Sequence, residues 1–127
     1  MTSAVLDASA ILAVLNDEAG AENVLPLLSD AAVSSVNFAE VVGKLAEQGG
    51  SLDQIREALF AIRLDVIDFD ISLAERTGML RAKTRSRGLS LGDRACLALA
   101  EREGIPAVTG DQQWLGAVDG IEVHVIR

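Results

Sequence analysis

Four acidic side chains stand where an alternating α/β chain would present ligands. Asp7 closes the first short apolar run, Asp111 follows the fourth, and Glu40 and Asp93 lie in the first turns of two apolar helices. Hard divalent cations such as Mg²⁺ and Mn²⁺ take oxygen ligands, usually one or two carboxylates together with water. The chain has one His and one Cys, far apart, which argues against zinc. The four acids therefore predict a Mg²⁺ or Mn²⁺ site.

Each of these carboxylates also has a purely structural interpretation. Asp7 and Asp111 precede helices and can cap them. Two pairs have the spacing of a capping box, namely Asn37 with Glu40 and Ser90 with Asp93. Considered together, however, four acids on one rim would repel one another in a chain of net charge −8, and a bound cation offsets that repulsion.

The elements that must position these acids follow from the apolar pattern. Short strands are predicted at residues 4–6, 32–35, 65–68, 105–109 and 121–126. Helices are predicted at about residues 8–16, 21–29, 37–48, 52–62, 72–86 and 91–103. Strands separated by helices predict a three-layer α/β/α sandwich with a five-stranded parallel sheet, in one domain of residues 1–127. In such sheets ligands bind outside the carboxyl ends of the strands.

The charges are unevenly distributed along the chain. There are 11 Lys and Arg residues against 19 Asp and Glu, a balance that by itself disfavours a nucleic-acid partner. Six of the basic residues fall between residues 76 and 94, where Asp93 is the single acid. This run predicts a basic stripe on an acidic body, and its structural alternative is a solvated helix face.

Hydrophobicity and the single cysteine predict the surroundings of the protein. The longest stretches without charge, residues 8–16 and 31–39, are too short to span a membrane. The first residues lack the basic region of a secretory signal, and Cys96 has no partner for an internal disulfide, so we expect a cytoplasmic protein. A mean hydropathy of +0.31 is high for a small domain and predicts a subunit contact. The candidate contact residues are Leu59, Phe60, Ile62, Leu73 and Leu80.

Four sequence blocks in order, at residues 5–12, 37–41, 89–98 and 107–114, resemble a PIN domain of the VapC-type ribonuclease toxins of type II toxin–antitoxin systems. The resemblance covers essentially the whole chain. It implies the strand order 3-2-1-4-5, with Asp7, Glu40, Asp93 and Asp111 forming the Mg²⁺ or Mn²⁺ site. It also implies that Thr109 supports the site from outside, and Ser9 matches a small polar position beside the first acid.

The expected activity is that of an endoribonuclease that hydrolyses RNA phosphodiester bonds with a cation-activated water. Asp7 and Asp93 are expected to hold the principal cation directly, and Glu40 and Asp111 to act through water or a second position. By the same resemblance the chain pairs as a homodimer and binds a cognate antitoxin. The basic stripe supplies the candidate RNA contacts, which are Arg81, Lys83, Arg85, Arg87 and Arg94.

Two other functional classes stay open at this point. A phosphatase or receiver-like phosphoryl-transfer domain also has an acidic pocket after its first strand. The haloacid-dehalogenase pattern, however, needs a second Asp where Ser9 stands, and a receiver needs a Lys after strand four that this chain lacks. The other alternative is a non-catalytic interaction module, in which the acids are helix caps and the basic stripe is solvated surface.

Overall fold

Five short parallel strands form one sheet in the order β3-β2-β1-β4-β5 in a computed structural model that describes residues 2–127. The strands are β1 (Ala4–Leu6), β2 (Ala31–Ser34), β3 (Asp65–Ile67), β4 (Ala107–Thr109) and β5 (Val123–Val125). The central strand β1 pairs with β2 on one side and with β4 on the other. The parallel sheet and its strand order confirm the predicted fold class.

Six α-helices connect the strands and cover both faces of the sheet. They are α1 (Ala8–Leu15), α2 (Ala21–Val24), α3 (Ser35–Glu47), α4 (Leu52–Ile62), α5 (Ile71–Thr84) and α6 (Leu91–Glu103). Three short 3₁₀ helices add to them, at Leu25–Asp30, Arg85–Arg87 and Gln112–Trp114.

The core is divided by the sheet into two apolar clusters. Ala4 and Leu6 of β1 pack with α1 to α4 on one face, whereas Val5 packs with α5 and α6 on the other. Because successive strand residues point to opposite faces, one short strand supplies both clusters. A strand that is covered on both faces needs apolar side chains at every position. The three residues of β1 before Asp7 are therefore all apolar.

Two local predictions are wrong in detail. Helix α3 begins at Ser35, and Ser34 is its N-cap, with its hydroxyl accepting a hydrogen bond from the Val36 N–H at 3.2 Å. The predicted capping box of Asn37 and Glu40 is therefore absent, because both residues lie inside the helix. The second predicted helix ends early at Val24, and a 3₁₀ helix with a proline in its first turn follows.

The predicted subunit contact needs a similar correction. Leu73 and Leu80 are 1% and 2% exposed and belong to the cluster under α5 and α6, and Leu59 is buried in the other cluster. Phe60, in contrast, is 77% exposed. Within residues 2–127 no helix has both the length and the apolar character needed to cross a membrane.

Candidate metal centre

Asp7 lies at the carboxyl end of the central strand and caps α1. Its carboxylate accepts hydrogen bonds from the Thr109 hydroxyl at 2.6 Å, the Ser9 hydroxyl at 2.7 Å and the Ala10 N–H at 2.9 Å. The side chain is buried, and this burial is the main reason that the pKa of Asp7 rises from 3.8 to about 6. The three hydrogen bonds oppose the rise, and the negative charge of Asp93 adds to it.

Ser9 and Thr109 join this carboxylate to the chain after β4. The Ser9 hydroxyl accepts from the Gly110 N–H at 2.8 Å, and the Thr109 hydroxyl oxygen accepts from the Asp111 N–H at 3.0 Å. The backbone of Asp111 is thus two hydrogen bonds away from Asp7. The Asp111 carboxylate itself accepts from the Gln113 N–H at 2.9 Å and caps the short 3₁₀ helix that follows.

Glu40 is placed by two residues that sequence reasoning missed as parts of the site. The buried Asn37 donates from Nδ2 to Glu40 Oε1 at 2.8 Å and to the Gly92 carbonyl at 3.0 Å. A Cβ added to Gly92 would stand 2.5 Å from Glu40 Oε1, so only glycine leaves room for the carboxylate there. The spacing of Asn37 and Glu40 was the available signal, but it was interpreted as a helix cap.

Asp93 is both a helix cap and a neighbour of these acids. Its Oδ2 accepts from the Ser90 N–H at 2.9 Å, while its own N–H donates to the Ser90 hydroxyl at 3.1 Å. The predicted capping box at the start of α6 is therefore confirmed. The box uses Oδ2 and does not use the second carboxylate oxygen.

The negative charges of three of the four predicted acids all affect the same buried side chain, that of Cys96. The pKa of the buried Cys96 thiol is raised well above its usual value, first by burial and then by the negative charges of Asp7, Asp93 and Glu40. Asp111 is not among these charges. In the described part of the chain no three His, Cys, Asp or Glu side chains stand close enough to hold a metal ion as they are placed. The four acids thus stay a prediction as metal ligands.

The chemistry of these residues nevertheless fits a hard divalent cation. The ligands available are carboxylate oxygens, together with the buried Asn37 Oδ1, which has no hydrogen-bond partner in the described residues. Mg²⁺ retains several waters and needs only one or two direct carboxylates, so it does not require three side chains in contact. The mutual repulsion of Asp7 and Asp93 is the kind of charge that such a cation offsets.

Four of the five predicted RNA contacts of the basic stripe are exposed, and the fifth is buried. Arg81, Lys83, Arg85 and Arg87 are exposed on α5 and on the 3₁₀ turn after it. Arg87 uses its guanidinium to bind the chain after the third 3₁₀ helix, donating to the Leu115 carbonyl at 2.7 Å. Arg94 is only 8% exposed, so its prediction as a member of an open stripe is wrong. Its partner is the Thr77 carbonyl on α5, at 3.0 Å.

Fold and site together define an α/β protein with carboxylates gathered at the carboxyl edge of the central strands. The model of the PIN domain family matches residues 4–120, and the chain therefore belongs to the PIN domain family. Comparison with curated proteins gives no match.

Solved structures of toxin–antitoxin complexes share the fold along nearly the whole chain. VapBC2 from Rickettsia felis bound to a promoter DNA fragment aligns with a TM-score of 0.75, 20% identity and 98% coverage of both chains. A toxin–antitoxin complex from Klebsiella pneumoniae aligns with a TM-score of 0.77, 20% identity and 98% coverage of both. DNA-bound VapBC from Salmonella typhimurium gives 0.72, 23% identity and 100% coverage of both.

The raised pKa of Asp7 predicts how the stability of the metal-free protein depends on pH. Because the folded-state pKa is the higher one, protonation of Asp7 favours folding below about pH 4, and this contribution is lost as the pH rises through about 6. Asp7→Asn should therefore be more stable than the parent at pH 7.5, on the order of 2 kcal/mol, and nearly equal to it at pH 4.

Urea unfolding with a chelator present measures this difference at both pH values. The exposed Asp119→Asn serves as the control and should follow the parent at both. An Asp7→Asn variant that is no more stable than the parent at pH 7.5 would contradict the proposed cost of the buried charge.

The contact between Gly92 and Glu40 predicts a second effect. Gly92→Ala should move the Glu40 carboxylate away from the start of α6, and should weaken Mn²⁺ binding about tenfold or more while the helix content is retained. Gly43→Ala is the matched control, because Gly43 is an exposed residue of α3 with nothing within 4 Å of an added Cβ. Metal titration followed by calorimetry distinguishes the two variants, and equal Mn²⁺ affinity in both would contradict this role of Gly92.

Proposed function

We propose that this chain is a Mg²⁺- or Mn²⁺-dependent endoribonuclease that acts as the toxin of a toxin–antitoxin pair. The observation that carries the proposal is the geometry at the carboxyl edge of the sheet of a PIN domain, where Asp7 is buried at the end of β1 and Asn37 links Glu40 to Gly92, the residue before Asp93. Because the proposed substrate is RNA, we propose that the protein acts in the cytoplasm. Asp7 and Asp93 would hold the cation, with Glu40 and Asp111 acting through water or at a second position.

The residues around the carboxylates position the site. Ser9 and Thr109 hold the Asp7 carboxylate by short hydrogen bonds and limit its rotation. Asn37 does the same for Glu40. A bound divalent cation supplies Lewis-acid stabilisation of phosphoryl oxygens and lowers the pKa of a coordinated water. Hydrolysis by water needs no 2′-hydroxyl, so the products should carry a 5′-phosphate and a 3′-hydroxyl.

The exposed basic residues of α5 and its 3₁₀ extension are the proposed RNA surface. Elsewhere the net negative charge of the chain repels phosphate, and the run from residue 76 to residue 94 offers the main attraction. Arg81, Lys83 and Arg85 project into solvent there. They lie on α5 and its 3₁₀ extension, and α5 packs against α6, the helix that carries Asp93.

An apolar groove is the proposed site for a cognate antitoxin. It has a volume of about 960 Å³ and is lined by Phe38, Arg56, Glu57, Leu59, Phe60, Arg63, Leu64 and Val66. Phe60 and Val66 are 77% and 39% exposed, which leaves apolar area for a partner to cover. The groove matches an amphipathic segment with apolar anchors and charged flanks. The neighbouring solved structures, which are complexes of a toxin with an antitoxin, support this choice of partner.

We also propose a homodimer. The large apolar side chains that α4 and α5 leave most exposed are Phe60, Ile71 and Met79, at 77%, 80% and 74%. These exposed side chains are the candidates for apolar area that a second copy of the chain would cover. Light scattering should give a mass of twice 13.4 kDa, and a mass of 13.4 kDa at micromolar concentration would contradict the dimer.

Substitution of Asp93 distinguishes a metal ligand from a helix cap. Asparagine retains an oxygen that can accept the Ser90 N–H, but it lacks the negative charge. Asp93→Asn should leave the melting temperature of the metal-free protein within a few degrees of the parent and lower Mg²⁺-dependent RNA cleavage by at least about 100-fold.

Asp70→Asn is the matched control for this test. Asp70 caps α5 through the Leu73 N–H at 2.9 Å, as a cap that is not part of the proposed site. It should keep the cleavage rate of the parent. If Asp93→Asn also cleaves RNA at near-parental rate in Mg²⁺, the acids are caps alone and the nuclease proposal fails.

The antitoxin site is tested by removing its exposed aromatic ring. Phe60→Ser should weaken binding of the proposed cognate antitoxin by about tenfold or more, because an exposed aromatic anchor is lost. Leu25→Ser is the control, since Leu25 is 55% exposed and lies outside the groove. Calorimetry or surface plasmon resonance measures both, and an equal effect of the two substitutions would place the partner elsewhere.

A further inference from the structure

A second cavity lies between α5, its 3₁₀ extension and α6. It has a volume of about 410 Å³ and is lined by Arg81, Thr84, Arg85, Gly88, Leu89 and Arg94. Half of these six residues are arginines, and no carboxylate lines the cavity. We propose that it is a phosphate-binding subsite, which holds a phosphate group of the RNA while another phosphate is cleaved. This inference rests on the proposed ribonuclease function and specifies how the substrate is positioned.

Arg94 provides the strongest reason for an anion in this cavity. Its side chain is more than nine-tenths buried, and one guanidinium NH₂ group donates to the Thr77 carbonyl at 3.0 Å. Its Nε is buried and has no hydrogen-bond partner among residues 2–127. A buried guanidinium with unused donors is costly unless an anion or further acceptors satisfy it. Arg94 lines the cavity, so an anion bound there would lie beside this guanidinium.

No protein carboxylate takes that role. The ion pairs of the described residues involve Lys44, Arg56, Arg76, Arg102, His124 and Arg127. Arg81, Arg85 and Arg94 therefore have no Asp or Glu oxygen within 4.0 Å in the part of the chain that is described. Their positive charge is left for a ligand.

The two exposed arginines stand where they can close on the same ligand. Arg81 and Arg85 are four residues apart, so they lie one turn apart on the same side of α5 and its extension. Like charges at this spacing repel each other, and an anion between them removes the repulsion. Guanidinium groups bind phosphate oxygens in pairs of parallel hydrogen bonds, so phosphate suits this set better than a small spherical anion.

The position of the cavity connects it to the proposed site. Arg94 follows Asp93 directly in α6, and successive helix residues point about 100° apart. Asp93 thus faces the carboxylates, while its neighbour faces α5 and the cavity. An RNA phosphate held by Arg94 would fix the RNA strand beside the carboxylates, which otherwise repel RNA.

Of the five predicted RNA contacts, Arg81, Arg85 and Arg94 line the cavity. The other two, Lys83 and Arg87, do not. Lys83 lies on α5 between Arg81 and Arg85 in the chain, is exposed, and does not line the cavity. A diffuse electrostatic attraction would depend on Lys83 as much as on its neighbours. A built phosphate site would depend on the arginines much more strongly, and this difference can be measured.

The test compares binding of a fluorescent 12-nucleotide RNA, with a 5′-hydroxyl or a 5′-phosphate, to the full chain in chelator. Arg81→Gln and Arg85→Gln should each weaken binding about tenfold, whereas Lys83→Gln, which removes one exposed charge of the RNA surface outside the cavity, should weaken it about twofold. Arg94→Lys keeps the charge but loses the paired donors, and it should resemble the glutamine variants. Lys44→Gln on α3 controls for the loss of one exposed charge.

Equal losses for Arg81→Gln, Arg85→Gln and Lys83→Gln would overturn the subsite, as would unchanged binding in both arginine variants. A loss seen with both RNAs assigns the cavity to a backbone phosphate, and a loss confined to the 5′-phosphorylated RNA assigns it to a terminal phosphate. Because binding is measured without metal, it is independent of cleavage. Binding that depends on the arginines, without Mg²⁺-dependent cleavage, would support the subsite and refute the nuclease. Mg²⁺-dependent cleavage with binding that does not depend on the arginines would support the nuclease and refute the subsite.

Discussion

The burial of one carboxylate, that of Asp7, is the constraint on which the rest of the site depends. The central strand of a covered parallel sheet ends inside the protein, so a charge at its end loses water. Hydrogen bonds from Ser9, Ala10 and Thr109 restore part of that solvation, yet the pKa still rises to about 6. The same bonds cap α1 and join β1 to the end of β4, so one group connects sheet, helix and site.

A carboxylate that caps a helix in this molecule can still serve as the metal ligand that the proposed function requires. Asp7, Asp93 and Asp111 all accept hydrogen bonds from the backbone at the start of a helical turn. These bonds fix where each carboxylate stands without using all of its lone pairs, since an ionised carboxylate has about four acceptor positions. A cap thus serves as the rigid support that a weakly bound, largely hydrated cation needs.

Sequence reasoning succeeded where a feature is local or periodic. The order of elements and the capping box of Ser90 and Asp93 depend on near neighbours, and both were predicted correctly. It failed where packing between helices decides burial. The run of basic residues from α5 to α6 predicts a basic surface stripe. Arg94 belongs to this run, but it is buried because it packs between α6 and α5 and donates to the Thr77 carbonyl. The buried face of α5 includes two threonines, so its sequence gives only a weak signal that another helix packs there.

On the proposed function, the distribution of charge explains how a protein of net charge −8 would bind RNA. The acids at the carboxyl edge of the sheet repel a phosphate, and the pKa of Asp7 is raised mainly by its burial and further by the negative charge of Asp93. Of the three arginines that line the cavity between α5 and α6, Arg94 directly follows Asp93 in the chain. A cation that neutralises the acidic rim would lower this repulsion of phosphate, and by the reciprocity of linked equilibria bound RNA would then favour the cation. On the proposed function, cation and RNA bind cooperatively, and neither alone satisfies both sets of charges.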